Sequence, residues 1–109
     1  MNYKVKTIAV FEKQAKKLIK KYPSLKSELL SLINLLKATP CYGTPIGKDC
    51  YKIRLSITSK NKGKSGGARI ITHIVVSGTI VYLLSVFDKS EKENLTDKEI
   101  KELLSSISD

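Results

Sequence analysis

The chain has 109 residues, of which 20 are Lys or Arg and 10 are Asp or Glu, giving a formal charge of +10 with 41% apolar residues. That length supports one hydrophobic core, so residues 1–109 read as a single domain, and the apolar share argues against a disordered polyelectrolyte. The positive charge favours polyanions, nucleic acid before an anionic membrane surface.

In chain order, Tyr3–Ile8 alternates apolar and basic residues, the pattern of a short half-exposed strand. From Phe11 the period becomes helical: Phe11, Ala15, Leu18, Ile19 and Tyr22 share one face, and lysines at 13, 16, 17, 20 and 21 cover the rest. Pro23 ends this helix and Ser24 is placed to cap the next. There Leu25, Leu29, Leu32, Ile33 and Leu36 repeat at three- and four-residue spacing until Pro40, so the two helices should form an antiparallel hairpin.

Tyr51 to Thr58 alternates as a strand, with Lys52, Arg54, Ser56 and Thr58 on its polar side. A Lys- and Gly-rich loop follows, Ser59 to Gly67, and then a β-branched strand over 68–76. Ser77-Gly78 is expected to turn tightly into a last strand, Thr79–Phe87, whose apolar run predicts a central place in the sheet. Thr96 with Glu99 forms a capping box, flanked by the hydrophobic staple pair Leu95 and Ile100, ahead of a helix striped by Ile100, Leu103, Leu104 and Ile107. The expected fold class is α+β, in the order β-α-α-β-β-β-α, with helices on a mainly antiparallel sheet.

The charge is unevenly spread. Up to Arg69 there are 16 basic and 3 acidic residues; from Ile70 onward there are 4 and 7. Lys52 and Arg54, at i and i+2 of a strand, project from one face roughly 7 Å apart, near the spacing of successive phosphates in RNA. The loop Lys60-Asn61-Lys62-Gly63-Lys64-Ser65-Gly66-Gly67 adds three lysines to a backbone that can approach an anion. Its Gly63-Lys64-Ser65 segment is not a nucleotide-binding P-loop, because Thr58 stands at the first glycine position and a strand follows. Arg69 offers a planar fork for two-point phosphate contact, and Lys89 sits where strand ends could converge. Each of these has a plain alternative as a solvated polar face.

His73 is the sole histidine, in a strand between β-branched neighbours, a setting more common for packing than for catalysis. Cys41 and Cys50 make neither a zinc site nor a disulfide framework, and no carboxylate pair or Ser/His/Asp set is visible. No metal or cofactor is expected. The start, MNYKVKTIAVFEK, lacks the apolar run of a signal peptide, and no stretch nears the ~20 apolar residues of a membrane span, so the expected location is the cytoplasm.

Cys50-Tyr51-Lys52-Ile53-Arg54-Leu55, the run from Gly63 to Ile71 containing KSGGAR, and Leu83–Leu95 (LLSVFDKSEKENL) resemble the RelE/HigB family of bacterial toxins. The resemblance implies a RelE-like fold and the toxin of a type II toxin–antitoxin module. It also implies a ribosome-dependent endoribonuclease (an mRNA interferase), with mRNA and the ribosome as targets and a partner antitoxin, expected to be of helix-turn-helix type. Lysine and arginine would replace the usual histidine pair in driving 2′-hydroxyl attack on the adjacent phosphate. On this resemblance Lys52 and Arg54 supply a base and a phosphate clamp, Arg69 steadies the transition-state phosphate, and Lys89 assists. Lys60, Lys62, Lys64 and Lys92 would hold RNA. Several relatives place a Tyr or His near the C-terminal end of the site, and this chain has neither after Tyr82, which leaves Lys89, Lys92 and Lys64 as candidate proton donors. A non-catalytic RNA- or ribosome-binding module and a ParE-like gyrase poison are the alternatives.

Overall fold

Apolar residues at a 3.6 period and at a 2.0 period must bury against one another, and here they do so as helices on a sheet. The computed structural model describes residues 2–60 and 66–107. Its elements are β1 (Lys4–Thr7), α1 (Ala9–Lys21), α2 (Leu25–Ala38), β2 (Thr44–Gly47), β3 (Cys50–Leu55), β4 (Ala68–Val75), β5 (Ile80–Asp88) and α3 (Asp97–Ser105). The α+β class and the helix order match the expectation; β2 is an addition to it.

The five strands lie in the order β1-β5-β4-β3-β2. All neighbours are antiparallel except β1 and β5, which run parallel from Lys4 opposite Ile80 to Thr7 opposite Leu83. β5 is flanked on both sides and buried almost throughout, as its apolar run requires. Opposite Ile71 and Thr72 it carries one extra residue, Leu84, a bulge that lets Leu83 and Leu84 both be buried.

The hairpin α1–α2 sets Phe11, Ala15 and Leu18 and then Leu25, Leu29, Leu32 and Leu36 into the core with Ile53, Ile70 and Val86. Truncating one such leucine to alanine costs about 2–5 kcal/mol. Ser24 stands at the start of α2, but its hydroxyl makes no capping bond. It donates instead to Glu28 Oε1 at 3.1 Å and accepts from the Ser59 amide at 2.9 Å, while Glu28 Oε2 accepts from the Thr58 amide at 2.8 Å. These bonds capture the chain after β3, which is why the strand stops at Leu55 although its alternation continues to Thr58.

One turn differs from the expected one, and the added strand β2 brings another. Between β4 and β5 the left-handed residue is Thr79 (φ 50°) and not Gly78, after a 3-10 turn over Val76–Gly78. Between β2 and β3, Lys48 and Asp49 have φ of 56° and 57°, the double positive φ of a tight hairpin. At the other end of that edge, Gly43 (φ 111°) presses the chain onto β3: a Cβ there would lie 2.7 Å from the Lys52 carbonyl oxygen.

α3 begins with the expected capping box. Thr96 Oγ1 accepts from the Glu99 amide at 3.1 Å, and Glu99 Oε1 accepts from the Thr96 amide at 2.8 Å. Ile100 is buried, and Leu95, Leu103 and Leu104 pack against the same core. Among the described residues no helix is long and apolar enough to cross a membrane.

Candidate functional site

Strand register decides which cations share a face. Arg54 lies directly opposite Arg69, which lies opposite Phe87; one step along, Lys52, Ile71 and Ser85 form the next row, and beyond it Cys50, His73 and Tyr82. Paired positions project to the same side, so Lys52, Arg54 and Arg69 occupy one face, with the helical hairpin on the other. α3 covers the β5 end of this face, enclosing a cavity of about 390 Å³ lined by Ser85, Phe87, Leu95, Glu99 and Leu103. The β3 side stays open as a basin of about 300 Å³ lined by Tyr42, Gly43, Thr44, Lys52 and Arg54.

The candidate residues differ sharply in what they touch. Lys52 Nζ donates to Asn94 Oδ1 at 2.6 Å, a bond across 42 positions that ties the segment before α3 to β3. Arg54 is exposed. Among the described residues neither has a carboxylate partner. Arg69 is 1% exposed, and its Nη1 donates to the carbonyl of Ala68 at 3.1 Å. Its charge therefore lies beneath the face, next to Arg54, and not at the surface. Lys89 is half-buried, and its backbone amide donates to Gly67 at 3.0 Å, which sets it beside the start of β4, one step from Arg69. Gly67 is required there, because a Cβ would fall 2.0 Å from the Leu55 carbonyl oxygen.

Two of the expected RNA-binding lysines are engaged elsewhere. Lys92 pairs with the Glu99 carboxylate, and this ammonium together with the Thr96 amide holds Glu99 below its ordinary value. Lys60 pairs with Asp88 on the helix side, its side chain 9% exposed and that of Asp88 fully buried. Burial alone would raise the Asp88 carboxyl, but Lys60, both Ser90 donors and the Tyr22 hydroxyl (2.9 Å) hold it well below the usual carboxylate range. The Lys60 ammonium also lies 5.5 Å from the centre of the Tyr22 ring. Its charge is thus neutralised inside the protein, away from the open face. Lys62 and Lys64 lie outside the described residues.

Cys50 Sγ approaches His73 Nδ1 at 3.5 Å, yet this is no nucleophile–base pair: burial pushes the Cys50 thiol up to about 11, so it stays protonated at neutral pH. Asn94, Tyr42 and Thr44 were not singled out in the sequence. β2 brings Thr44 to the site by an edge pairing, with Tyr42 just before it, and only the capping box at Thr96 hinted that residue 94 would be fixed.

The arrangement is that of a RelE-like toxin fold. Free E. coli toxin RelE, in a form with two arginines changed to alanine, superposes with a TM-score of 0.64 at 20% identity, over 97% of this chain and 94% of that one. A crystal structure of the isolated E. coli RelE toxin gives a TM-score of 0.55 at 18% identity, covering 96% of this chain and 99% of that one. No protein-family model matches the sequence.

Proposed function

We propose that residues 1–109 form the toxin of a type II toxin–antitoxin module, a ribosome-dependent endoribonuclease acting in the cytoplasm on translated mRNA. The observation that carries this reading is the open β3 face: among the described residues Lys52 and Arg54 have no carboxylate partner and lie beside Arg69, while Lys21, Lys60 and Lys92 elsewhere are paired with acids. Unneutralised cations on a concave surface serve a polyanion. The RelE-like fold supports the same assignment.

Arginine keeps its proton, so in this reading it is Lys52, held by Asn94 and reacting in its neutral amine form, that takes the 2′-hydroxyl proton and becomes the ammonium. The 2′-oxygen then attacks the adjacent phosphorus, the bond to the 5′-oxygen breaks, and a 2′,3′-cyclic phosphate remains. Arg54 binds the non-bridging oxygens as charge develops on them, and Arg69 reinforces the field from below. In this reading Lys89, just after β5, returns a proton to the leaving 5′-oxygen. A cognate antitoxin of helix-turn-helix type would neutralise the toxin.

The test is to express the chain and map mRNA 5′ ends on translating ribosomes, with Arg54→Ala in parallel. New ends within translated regions, lost in the variant, are expected. Growth arrest without new ends would overturn the nuclease; ends unchanged by the substitution would overturn the site. The cations of this face also support one second reading, a binding-only RNA module, which needs the Lys52 and Arg54 charges but no proton donor. Its affinity would fall evenly with each lost cation and steeply with salt.

A further inference from the structure

Tyr42 is 38% exposed at the one place where an aromatic ring meets the unpaired cations. It lines the basin with Lys52 and Arg54, and it also lines the adjoining hollow of about 280 Å³ formed by Leu35, Arg54 and Ser56. Arg54 lines both of these spaces too, so the ring and the guanidinium border one recess.

The backbone there is firmly held. Gly43 lies against the Lys52 carbonyl, leaving no room for a Cβ, and the Tyr42 amide donates to Thr39 at 3.2 Å. Among the described residues the only ring approached by a cation is that of Tyr22, by Lys21 at 5.3 Å and by Lys60 at 5.5 Å, so none of the described cations occupies a face of Tyr42. A half-exposed ring on a held backbone, beside Arg54 and Lys52, has the composition of a single-strand stacking site, where base–aromatic contact is worth about 1–3 kcal/mol per base.

We infer that Tyr42 is a nucleobase platform: it stacks the base of the nucleotide whose phosphate Arg54 holds. The inference rests on the RNA-directed reading of this face and adds to it a subsite for a flat heterocycle. Stacking needs the ring and not the hydroxyl.

The sequence contains no tryptophan, so Tyr42→Trp creates a single fluorophore at the site. An uncleavable single-stranded 2′-O-methyl oligonucleotide of mixed sequence should quench it, whereas an abasic oligomer of equal length and charge should not. Equal quenching by both would show phosphate binding alone and overturn the platform. In cleavage on programmed ribosomes, Tyr42→Phe should stay within about twofold, while Tyr42→Ala should raise KM about tenfold or more with kcat little changed. A large kcat loss in Tyr42→Phe would make the hydroxyl a proton carrier and overturn stacking, as would unchanged kinetics in Tyr42→Ala. Base-dependent quenching in a chain that cleaves no RNA would overturn the nuclease and leave the platform standing.

Discussion

Two lysines eight positions apart are used in opposite ways. Lys60 reaches the helix side of the sheet, where Asp88 neutralises it under the Tyr22 ring, and Lys52 stands on the open face, bonded among the described residues to the Asn94 amide oxygen. The first holds the end of β5 to the C-terminal end of α1. The second keeps an unneutralised charge at the basin. Net charge does not distinguish them; only the fold does, and it divides the basic half of the chain into cement and working surface.

The comparison can be broken most forcefully at Lys60. Lys60→Met strands a buried carboxylate and should cost about 3–5 kcal/mol, lowering Tm in calorimetry by more than about 10 °C, with RNA cleavage per folded molecule unchanged. Arg54→Ala should do the reverse: cleavage down about 10²–10³-fold, and stability within about 0.5 kcal/mol of wild type. If either variant showed the other's behaviour, the division of labour would be wrong.

Acid sharpens the same contrast. The folded-state Asp88 carboxyl lies below its ordinary value of 3.8, so its contribution is complete above that pH and lost as pH falls through and below it. Lys60→Met lacks the partner that holds this carboxyl down. The Tm gap between the two proteins should therefore be widest at neutral pH and narrow toward about pH 3 in thermal melts. The smallest effect expected is at the α3 cap, where Thr96→Ala should cost about 1 kcal/mol in denaturant unfolding and loosen the segment that carries Asn94.

What the sequence disclosed follows from the range of each interaction. The helices, β3, β4, β5 and the Thr96 box were legible because their signals repeat within a few residues. β2 was not: Thr44-Pro45-Ile46-Gly47 carries a proline and a glycine in four residues, and only its pairing with β3 makes it a strand. The end of β3 was overrun because Glu28, 30 positions away, takes the Thr58 amide. Lys60 was assigned to RNA for the same reason, since its partner Asp88 is 28 positions distant. The rows containing Lys52, Arg54 and Arg69 were readable as alternation, but the burial of Arg69 depends on cross-strand neighbours.

The parallel pairing of β1 with β5 bears on how the molecule comes into being. Lys4 pairs with Ile80, 76 positions later, whereas β3, β4 and β5 join their neighbours through consecutive connections. Closing that long loop is the entropically slow step, so the meander bearing the basic face can form early in folding. During synthesis β1 must wait, unpaired, until β5 has left the ribosome. A chain stalled before residue 80 would hold the middle strand, β4, but lack β5, the mate of both β1 and β4, and would carry its lysines with no completed site in which to use them.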